Sequence, residues 1–446
     1  MEDVGYLWTD TLFLAILVIF FGFILWSLRK AHVRWRLVKI FRRPFAVSAF
    51  IVLLFFLTIG VLDSIHLTIN NKTAAPNNTL LDHFLYPLGA FQEKTYSAPL
   101  ALHQFVTDTV AVNGVLQQVY PLLVYPAPWI KNSADRWRLI NHSIEHATLA
   151  SSLILLMQVL VWIAWRHLGR RDDRKIHYAP LLSAWLTLGA LTFITVLAFD
   201  LSRGLHILGT GQIGQDIFFY TVKSVRTGLI IGTLTTLFML PFALLLGIIA
   251  GYFGGFIDDV IQYVYTTLSS IPGVLLITAS VLSLQTFIAN HPQLFTTLAQ
   301  SADARLLSLC FILGVTSWSS LCRLLRAEAL KLREVDFVMA AKSLGSSWFT
   351  IVRRHLLPNV MHIVVITLVL DFSFLVMAEA LLSYVGAGVS PMTISWGNMI
   401  NSARLELARD PVVWWPMTAA FALMFLLVLA MNIFADAVRD AFDPRY

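Results

Sequence analysis

Three patterns of residues in this chain could do chemistry, and the first is a run of spaced glycines. In the stretch HILGTGQIGQD, Gly209, Gly211 and Gly214 follow the spacing G-x-G-x-x-G, which cradles a pyrophosphate in nucleotide-binding βαβ units. Such a unit needs a strand before the glycines and an acidic residue about 20 positions after them. The apolar run before them is far too long for a strand, and the next acidic residue after Asp216 is Asp258. The sequence therefore argues against a dinucleotide site.

The second pattern is HSIEH, which matches the H-x-x-E-H arrangement of one class of zinc peptidases. On a helix, His142 and His146 would share one face with Glu145 beside them. No third ligand stands on an obvious downstream helix. We expect a polar helix end at a membrane interface, with no metal bound. A membrane metallopeptidase that uses these three residues is the alternative.

The third pattern is a pair of acidic residues, Asp371 and Glu379, inside the apolar stretch VVITLVLDFSFLVMAEALLSYVGAG. A carboxylate within a bilayer is costly and is by default functional or paired. Eight residues of helix place the two about 12 Å apart along the axis and about 80° apart around it. We expect them, with Ser383, to line a polar translocation pathway or to pair with a neighbouring helix. A carboxylate-driven secondary transporter is a second alternative.

The elements that carry these residues follow from the composition. Of 446 residues, 57% are hydrophobic and 13% are charged, and the mean hydropathy is +0.73, whereas soluble domains carry about 25% charged residues. This composition predicts an all-α polytopic membrane protein. A spanning helix needs about 20 apolar residues. Nine such segments occur, at 10–28, 47–66, 147–168, 180–200, 221–251, 259–284, 304–323, 358–387 and 414–436.

Positive charge predicts the orientation of these segments. Lysine and arginine concentrate in the loops at 29–43, 166–175 and 323–354, and the positive-inside rule places such loops in the cytoplasm. Alternation then puts the N-terminus outside and the C-terminus inside. The formal net charge of +6 belongs to these retained loops, so we expect a lipid bilayer and no nucleic acid as partner.

The spans divide the chain into consecutive parts. An N-terminal helix with a basic segment precedes a second helix, and a long external loop domain follows. A two-helix hairpin then separates that loop from the remaining spans, which include a cytoplasmic loop at 324–357. The predicted boundaries of these parts are 1–46, 47–66, 67–146, 147–200 and 201–446.

The most informative cytoplasmic stretch is REVDFVMAAKSLGSSWFTIVRRHLLPN. Asp336 is a suitable helix N-cap, and Gly345 suits the position just past a helix end. Ser346 or Ser347 can cap a second helix, which we expect Pro358 to stop. The apolar stripe of the first helix follows the spacing i, i+3, i+4 and i+7 and consists of Phe337, Ala340, Ala341 and Leu344.

A helix pair this short cannot bury its apolar stripe within itself. We therefore expect the stripe to dock into a groove of a partner protein. The alternative is an amphipathic helix that lies on the membrane surface.

The same stretch resembles the coupling-loop signature of permease subunits of binding-protein-dependent ABC importers, A-A-x-x-x-G followed by hydrophobic-x-L-P. The C-type permeases of the dipeptide, oligopeptide and nickel branch are the most similar. HILGTGQIGQD resembles their H-x-L-G-T-D-x-x-G-x-D, an external turn before a membrane helix, and GYFGGFIDD, LSYVGAGVSPMTISWG and DAVRDAFDPR resemble further signatures in the same order. The residues that match the external turn are His206, Gly209, Thr210, Gly214 and Asp216.

The resemblance covers residues 200–446 well and 37–66 loosely. It implies a type I importer permease core in a bacterial inner membrane, and ATP-driven import of di- or oligopeptides by alternating access. The implied partners are a homologous second permease, two ATPase subunits and a periplasmic substrate-binding protein. The chain has no G-x-x-x-x-G-K-[ST], so we expect no catalytic residue and no cofactor in it. ATP and magnesium would be bound by the ATPase subunits.

Two positions and two insertions depart from the family pattern. Met339 stands where the coupling signature usually has an acidic residue, and Gly211 replaces the aspartate of the external turn. The helices at 10–28 and 147–200 are additions to the family core. The exact substrate stays open among a dipeptide, an oligopeptide, a peptide antibiotic and a nickel chelate.

Overall fold

The computed structural model describes residues 7–66, 79–112, 115–125, 129–130, 132–168, 178–295 and 297–442. Its helices are α1 (Trp8–Ser27), α2 (Ala31–Ile40), α3 (Pro44–Ser64), α4 (Leu80–Phe84), α5 (Tyr86–Ala90), α6 (Ser133–Leu168), α7 (Tyr178–Ser202), α8 (Ile217–Phe253), α9 (Gly255–Ser270), α10 (Gly273–Asn290), α11 (Leu298–Arg333), α12 (Asp336–Ser343), α13 (Trp348–Ile351), α14 (Leu357–Val385), α15 (Trp396–Glu406) and α16 (Trp415–Phe442). Two strands, β1 (Asp108–Val112) and β2 (Val115–Val119), pair as an antiparallel hairpin.

Nine helices among the described residues are long and apolar enough to cross a membrane, which confirms the predicted number of spans. They are α1, α3, α6, α7, α8, α10, α11, the continuous run Trp348–Val385 and α16. The β1–β2 hairpin is an exception to the all-α prediction, and it lies in the segment predicted to be the external loop domain.

The predicted bounds of the span at 259–284 are wrong, because the span is α10 and begins at Gly273. The chain leaves the helical conformation at Ile271, whose φ of −84° and ψ of 130° are extended, because a proline at position 272 disfavours helix at the residue before it. The break separates α9 from α10, and of these two only α10 qualifies as a span.

The inserted hairpin also differs from its predicted bounds, because α6 begins at Ser133 instead of residue 147. The second helix of the hairpin, α7, packs against α3. The Ser183 hydroxyl donates to the carbonyl oxygen of Pro44 at 2.8 Å, and the Thr187 hydroxyl donates to Ser48 Oγ at 2.8 Å. Interhelical hydrogen bonds of this kind substitute in a bilayer for the hydrophobic effect.

The described residues form two compact units. The first draws on the described parts of 1–36, 227–393 and 435–446, and the second on those of 37–226 and 394–434. In the first unit, Leu321, Leu325 and Ala329 of α11 are buried against Ile248 of α8 and Val360 of α14. The second unit contains the β hairpin, the inserted helices and the turn before α8.

The extra helix α1 is fastened within the first unit by a buried polar contact. The carboxylate of Asp303 on α11 accepts hydrogen bonds from the Thr9 hydroxyl and from the Thr9 N–H, the latter at 3.3 Å. Both residues are at most 5% exposed. The added helix is therefore an integral part of this unit.

Candidate functional site

The predicted coupling helix is α12, and it ends in a left-handed glycine turn. Gly345 has φ +79°. Its N–H donates to the Lys342 carbonyl at 3.0 Å, and the Ser346 N–H donates to the Ala341 carbonyl at 3.1 Å, which is the Schellman arrangement of a helix end. A Cβ at position 345 would meet no atom within 4 Å. The backbone conformation alone therefore selects glycine here.

One edge of α12 is anchored and the other is exposed. Val338 is 2% exposed and packs in the core of the first unit, and Ala341 packs partly buried against the same core. The exposed edge carries the rest of the predicted stripe: Phe337 at 44%, Ala340, and Leu344 at 86% exposure. Sequence reasoning missed Val338 because it lies beside the stripe. The arrangement holds α12 in place and leaves an apolar edge for another molecule.

Two predictions about the ends of these helices are wrong. Asp336 is the first residue of α12, and the N-cap position belongs to Val335, which makes no side-chain cap bond. The carboxylate still lies in the first turn, where it favours the helix dipole. Pro358 does not stop the second helix. A π turn at Val352–Leu356 precedes Pro358 and places this proline in the first turn of α14, where the missing proline N–H would have no helical partner. Ser347 does cap α13, as predicted.

A charged clamp ties α9 to α11 in the same unit. Arg326 Nε lies 2.5 Å from Asp258 Oδ1, and its Nη2 lies 2.6 Å from Oδ2, which is the bidentate geometry of the strongest ion pairs. The guanidinium hydrogen bonds lower the pKa of Asp258 against the opposing effect of burial. Leu325 and Ala329, next to Arg326 and one turn away from it on α11, pack in the same core as Val338 of α12. The clamp therefore holds a helix on which α12 is anchored.

The glycines of the turn at 206–216 serve close packing of two backbone segments. Gly209 and Gly214 have φ +71° and +76°. A Cβ at Gly209 would lie 2.2 Å from the Ser97 carbonyl oxygen, and one at Gly214 would lie 1.7 Å from that of Glu93. Both positions require glycine for conformation and for space. The glycines therefore hold the turn against residues 93–97 of the long segment between α3 and α6.

Hydrogen bonds complete this contact. Thr210 donates its N–H to the Ser97 carbonyl at 3.1 Å and its hydroxyl to the Thr95 carbonyl at 2.8 Å. Trp415 Nε1 donates to the Thr210 carbonyl at 2.9 Å. Sequence reasoning did not find Trp415, because its partner stands 205 positions away.

A buried charge cluster lies inside the turn. His206 Nδ1 is 2.6 Å from Asp216 Oδ2, and its Nε2 is 3.7 Å from Glu93 Oε1, an ion-pair distance beyond hydrogen-bond range. Burial disfavours the charged imidazole, but the two carboxylates outweigh it and raise the pKa of His206 to about 9. Burial likewise opposes ionisation of Glu93, while His206 and the N–H groups of Val124 and Tyr125 lower its pKa. Sequence reasoning missed Glu93, which no motif marks.

A second charge cluster, also missed, surrounds Lys223 on α8. Lys223 Nζ lies 2.6 Å from Asp82 Oδ1 and 3.5 Å from Asp63 Oδ1. The Thr79 hydroxyl donates to Asp63 Oδ1 at 2.8 Å. A lysine inside a predicted span and an aspartate near the end of another were the available signals, because ionisable groups in spans call for partners.

The intramembrane carboxylates have different surroundings. Glu379 is 3% exposed and accepts a hydrogen bond from the Ser383 hydroxyl at 2.7 Å. Asp371 is half-buried, and its Oδ2 has no hydrogen-bond partner within the described residues. The structure therefore joins two of the three predicted pathway residues and leaves Asp371 apart from that hydrogen bond.

The HSIEH pattern lies within α6 and not at its end. The ring centroids of His142 and His146 are 4.0 Å apart, and His146 Nδ1 lies 3.1 Å from Asp200 Oδ2. The part of the chain that the structure describes contains no group of three His, Cys, Asp or Glu placed to hold a metal. The geometry therefore gives no support to the metallopeptidase alternative.

Comparison with known proteins shows where the chain has relatives. Residues 243–446 match the family described as "Binding-protein-dependent transport system inner membrane component". The chain is 32% identical to the dipeptide transport system permease protein DppC of Lactococcus lactis subsp. cremoris over 240 residues. These residues are 54% of this chain and 64% of that protein. It is 31% identical over 240 residues to a putative peptide permease protein of Brucella suis biovar 1, covering 54% of this chain and 73% of that protein. The glutathione transport system permease protein GsiD of Pectobacterium atrosepticum is 30% identical over 241 residues, which cover 54% of this chain and 73% of GsiD.

Proposed function

Because this chain belongs to the family of inner membrane components of binding-protein-dependent transport systems, we propose that it is the membrane-spanning subunit of an ATP-driven importer of peptides. The chain is a multi-pass protein of the bacterial inner membrane. Relatives named for dipeptide, peptide and glutathione transport support peptides as the substrate class.

The observation that carries this proposal is the anchored α12 with its exposed apolar edge. Phe337 and Leu344 are 44% and 86% exposed, although large apolar side chains favour burial. The Gly345 turn fixes how this edge is presented. We infer that the edge enters a groove of an ATPase subunit in the cytoplasm. Closure of two ATPase subunits around ATP and Mg²⁺ would then move α12 and the helices packed on it.

In the proposed assembly, this chain pairs with a homologous second permease and two ATPase subunits. A periplasmic binding protein delivers the peptide to the external side, which carries the turn at 206–216. Under this orientation the N-terminus is external, the C-terminus is cytoplasmic, and ATP is hydrolysed only in the partner subunits.

The test is peptide uptake into proteoliposomes that contain this chain with its genomic neighbours for the second permease, the ATPases and the binding protein. We expect uptake that requires ATP hydrolysis and the binding protein. Uptake by this chain alone, driven by a proton gradient, would establish the secondary-transporter alternative instead.

A further inference from the structure

The second unit contains a cavity that the proposed mechanism does not use. Its volume is about 370 Å³, within the range of small-molecule sites, about 300–1,000 Å³. It lies between α4–α5 and the first two turns of α8. Its floor is buried and includes Phe219 and Lys223, whereas its rim carries Tyr86 and Phe91, which are 67% and 49% exposed. Exposed aromatic rings around a charged floor are typical of a site for an amphipathic ligand.

One wall of the cavity is a single face of the start of α8. Its residues stand at i, i+3, i+4 and i+7, the spacing of one helix face. They are Asp216, Phe219, Tyr220 and Lys223. The same wall therefore presents two opposite charges with two aromatic rings between them.

Charges of both signs line the cavity. Asp82 and Asp216 supply two carboxylates and Lys223 supplies one ammonium group, while His206 pairs with Asp216 from behind the wall. The two carboxylates offer acceptors to a cationic donor.

Of the two carboxylates that line the cavity, Asp82 is the more accessible. Its side chain is 12% exposed, whereas that of Asp216 is 0% exposed. The two Asp82 oxygens already accept from Lys223 Nζ and the Thr79 N–H, but a carboxylate has about four acceptor sites. Asp82 can therefore accept another charged N–H donor, while Asp216 contributes through its field.

We propose that this cavity binds the ammonium group of a peptide amino terminus at Asp82, with the first side chains of the peptide against Tyr86 and Phe91. This inference rests on the proposed function and names the part of the substrate that the external side of the permease recognises. It implies that a free amino terminus is a requirement for entry.

The experiment is photo-crosslinking on the full-length chain, purified in lipid nanodiscs with the subunits that co-purify with it. The probe is an Ala-X-Ala tripeptide in which X is a diazirine analogue of leucine, used with a free or an acetylated amino terminus. Crosslinks are mapped by mass spectrometry. We expect labelling of segments 80–92 and 215–223, and labelling about tenfold weaker for the acetylated probe, because a charged hydrogen bond is lost.

Two lining variants and two matched controls test the location. Gln92→Trp fills the cavity from its rim and Tyr86→Ala removes a rim ring, whereas Gln117→Trp and Tyr120→Ala make the same changes at exposed positions outside the cavity. We expect both lining variants to lower labelling and both controls to preserve it. Equal labelling by the two probes, labelling confined to other segments, or unchanged labelling in Tyr86→Ala would overturn the proposal.

Uptake by the reconstituted transporter separates this inference from the proposed function. If peptides are imported but the cavity variants import and label as the wild type does, the cavity proposal fails and the importer stands. If the cavity is labelled as expected but no peptide is imported with ATP, the importer proposal fails and the binding site stands.

Discussion

His206 Nδ1 lies 2.6 Å from Oδ2 of Asp216, and the side chains of both residues are at most 1% exposed. Glu93, in the long segment between α3 and α6, approaches the other ring nitrogen at 3.7 Å. The imidazolium thus links the turn at 206–216 to a segment more than a hundred positions away. Its charge is part of what holds the two together.

The first prediction follows from the raised pKa of His206. A group whose folded-state pKa of about 9 lies above its unfolded value of about 6.5 contributes stability fully below pH 6.5 and loses it as the pH rises through 9. The difference corresponds to about 3 kcal/mol. We expect the purified chain to lose thermal stability between about pH 7 and about pH 10. The variant His206→Gln should be less stable at neutral pH, and its stability should change less over that interval.

The matched control is His103→Gln, at an exposed position in the same segment between α3 and α6. It should keep the pH dependence of the wild type. Parallel stability curves for the wild type and His206→Gln would show that the buried pair does not set this dependence.

The second prediction concerns the end of α12. Gly345→Val forces a branched residue into φ +79°, at a cost of roughly 1 kcal/mol or more, and Ala340→Asp places a charge on the edge that we assign to the ATPase groove. Both variants should reach the membrane at near-normal levels and should lose ATPase subunits on co-purification, or lose substrate-stimulated hydrolysis. Ala341→Asp is a weaker test, because Ala341 is half-buried in its own unit.

Two conservative variants control this test. Gly345→Asn retains the left-handed conformation better than valine does, and Ala340→Ser adds no charge. Both should retain the ATPase subunits. Full stimulation in Gly345→Val and Ala340→Asp would remove the main physical support for coupling through α12.

The third prediction distinguishes the intramembrane carboxylates. Glu379→Ala removes the acceptor of the buried Ser383 hydroxyl, at about 1–3 kcal/mol, and should reduce uptake or assembly. Asp371→Asn keeps the shape of a half-buried side chain and should be milder. Glu379→Gln retains an acceptor and serves as the matched control. Complete loss of uptake in both Asp371→Asn and Glu379→Gln, with assembly intact, would indicate a charge relay.

The fourth prediction concerns orientation. The basic loops at 29–43, 166–175 and 323–354 predict that a reporter inserted near Lys175 behaves as cytoplasmic and one near Asn113 as external; both positions lie outside the described residues. Activity of a periplasmic reporter at Lys175 and of a cytoplasmic reporter at Asn113 would reverse the topology. That result would also remove α12 from the side on which ATP is hydrolysed.

Local patterns in the sequence were sufficient for the number of spans, the Gly345 turn and the family. Nine apolar runs predict nine spans because the bilayer imposes one length and one composition. Gly345 was predictable because a helix end of this type needs φ > 0 within a few residues. Prediction from local sequence failed at two prolines. Pro272 splits the predicted span at 259–284, and the π turn at Val352–Leu356 lets the helix continue through Pro358.

Only the tertiary structure decided what the chemistry-bearing residues contact. The spacing of Gly209 and Gly214 is visible in the sequence, but the Glu93 and Ser97 carbonyls that require it come from a segment over a hundred positions away. Lys223 with Asp82, and Trp415 with Thr210, are joined in the same way. Periodicity reports which face of one element is apolar, whereas pairing of buried charges depends on which elements fold against each other, and no local pattern encodes that choice.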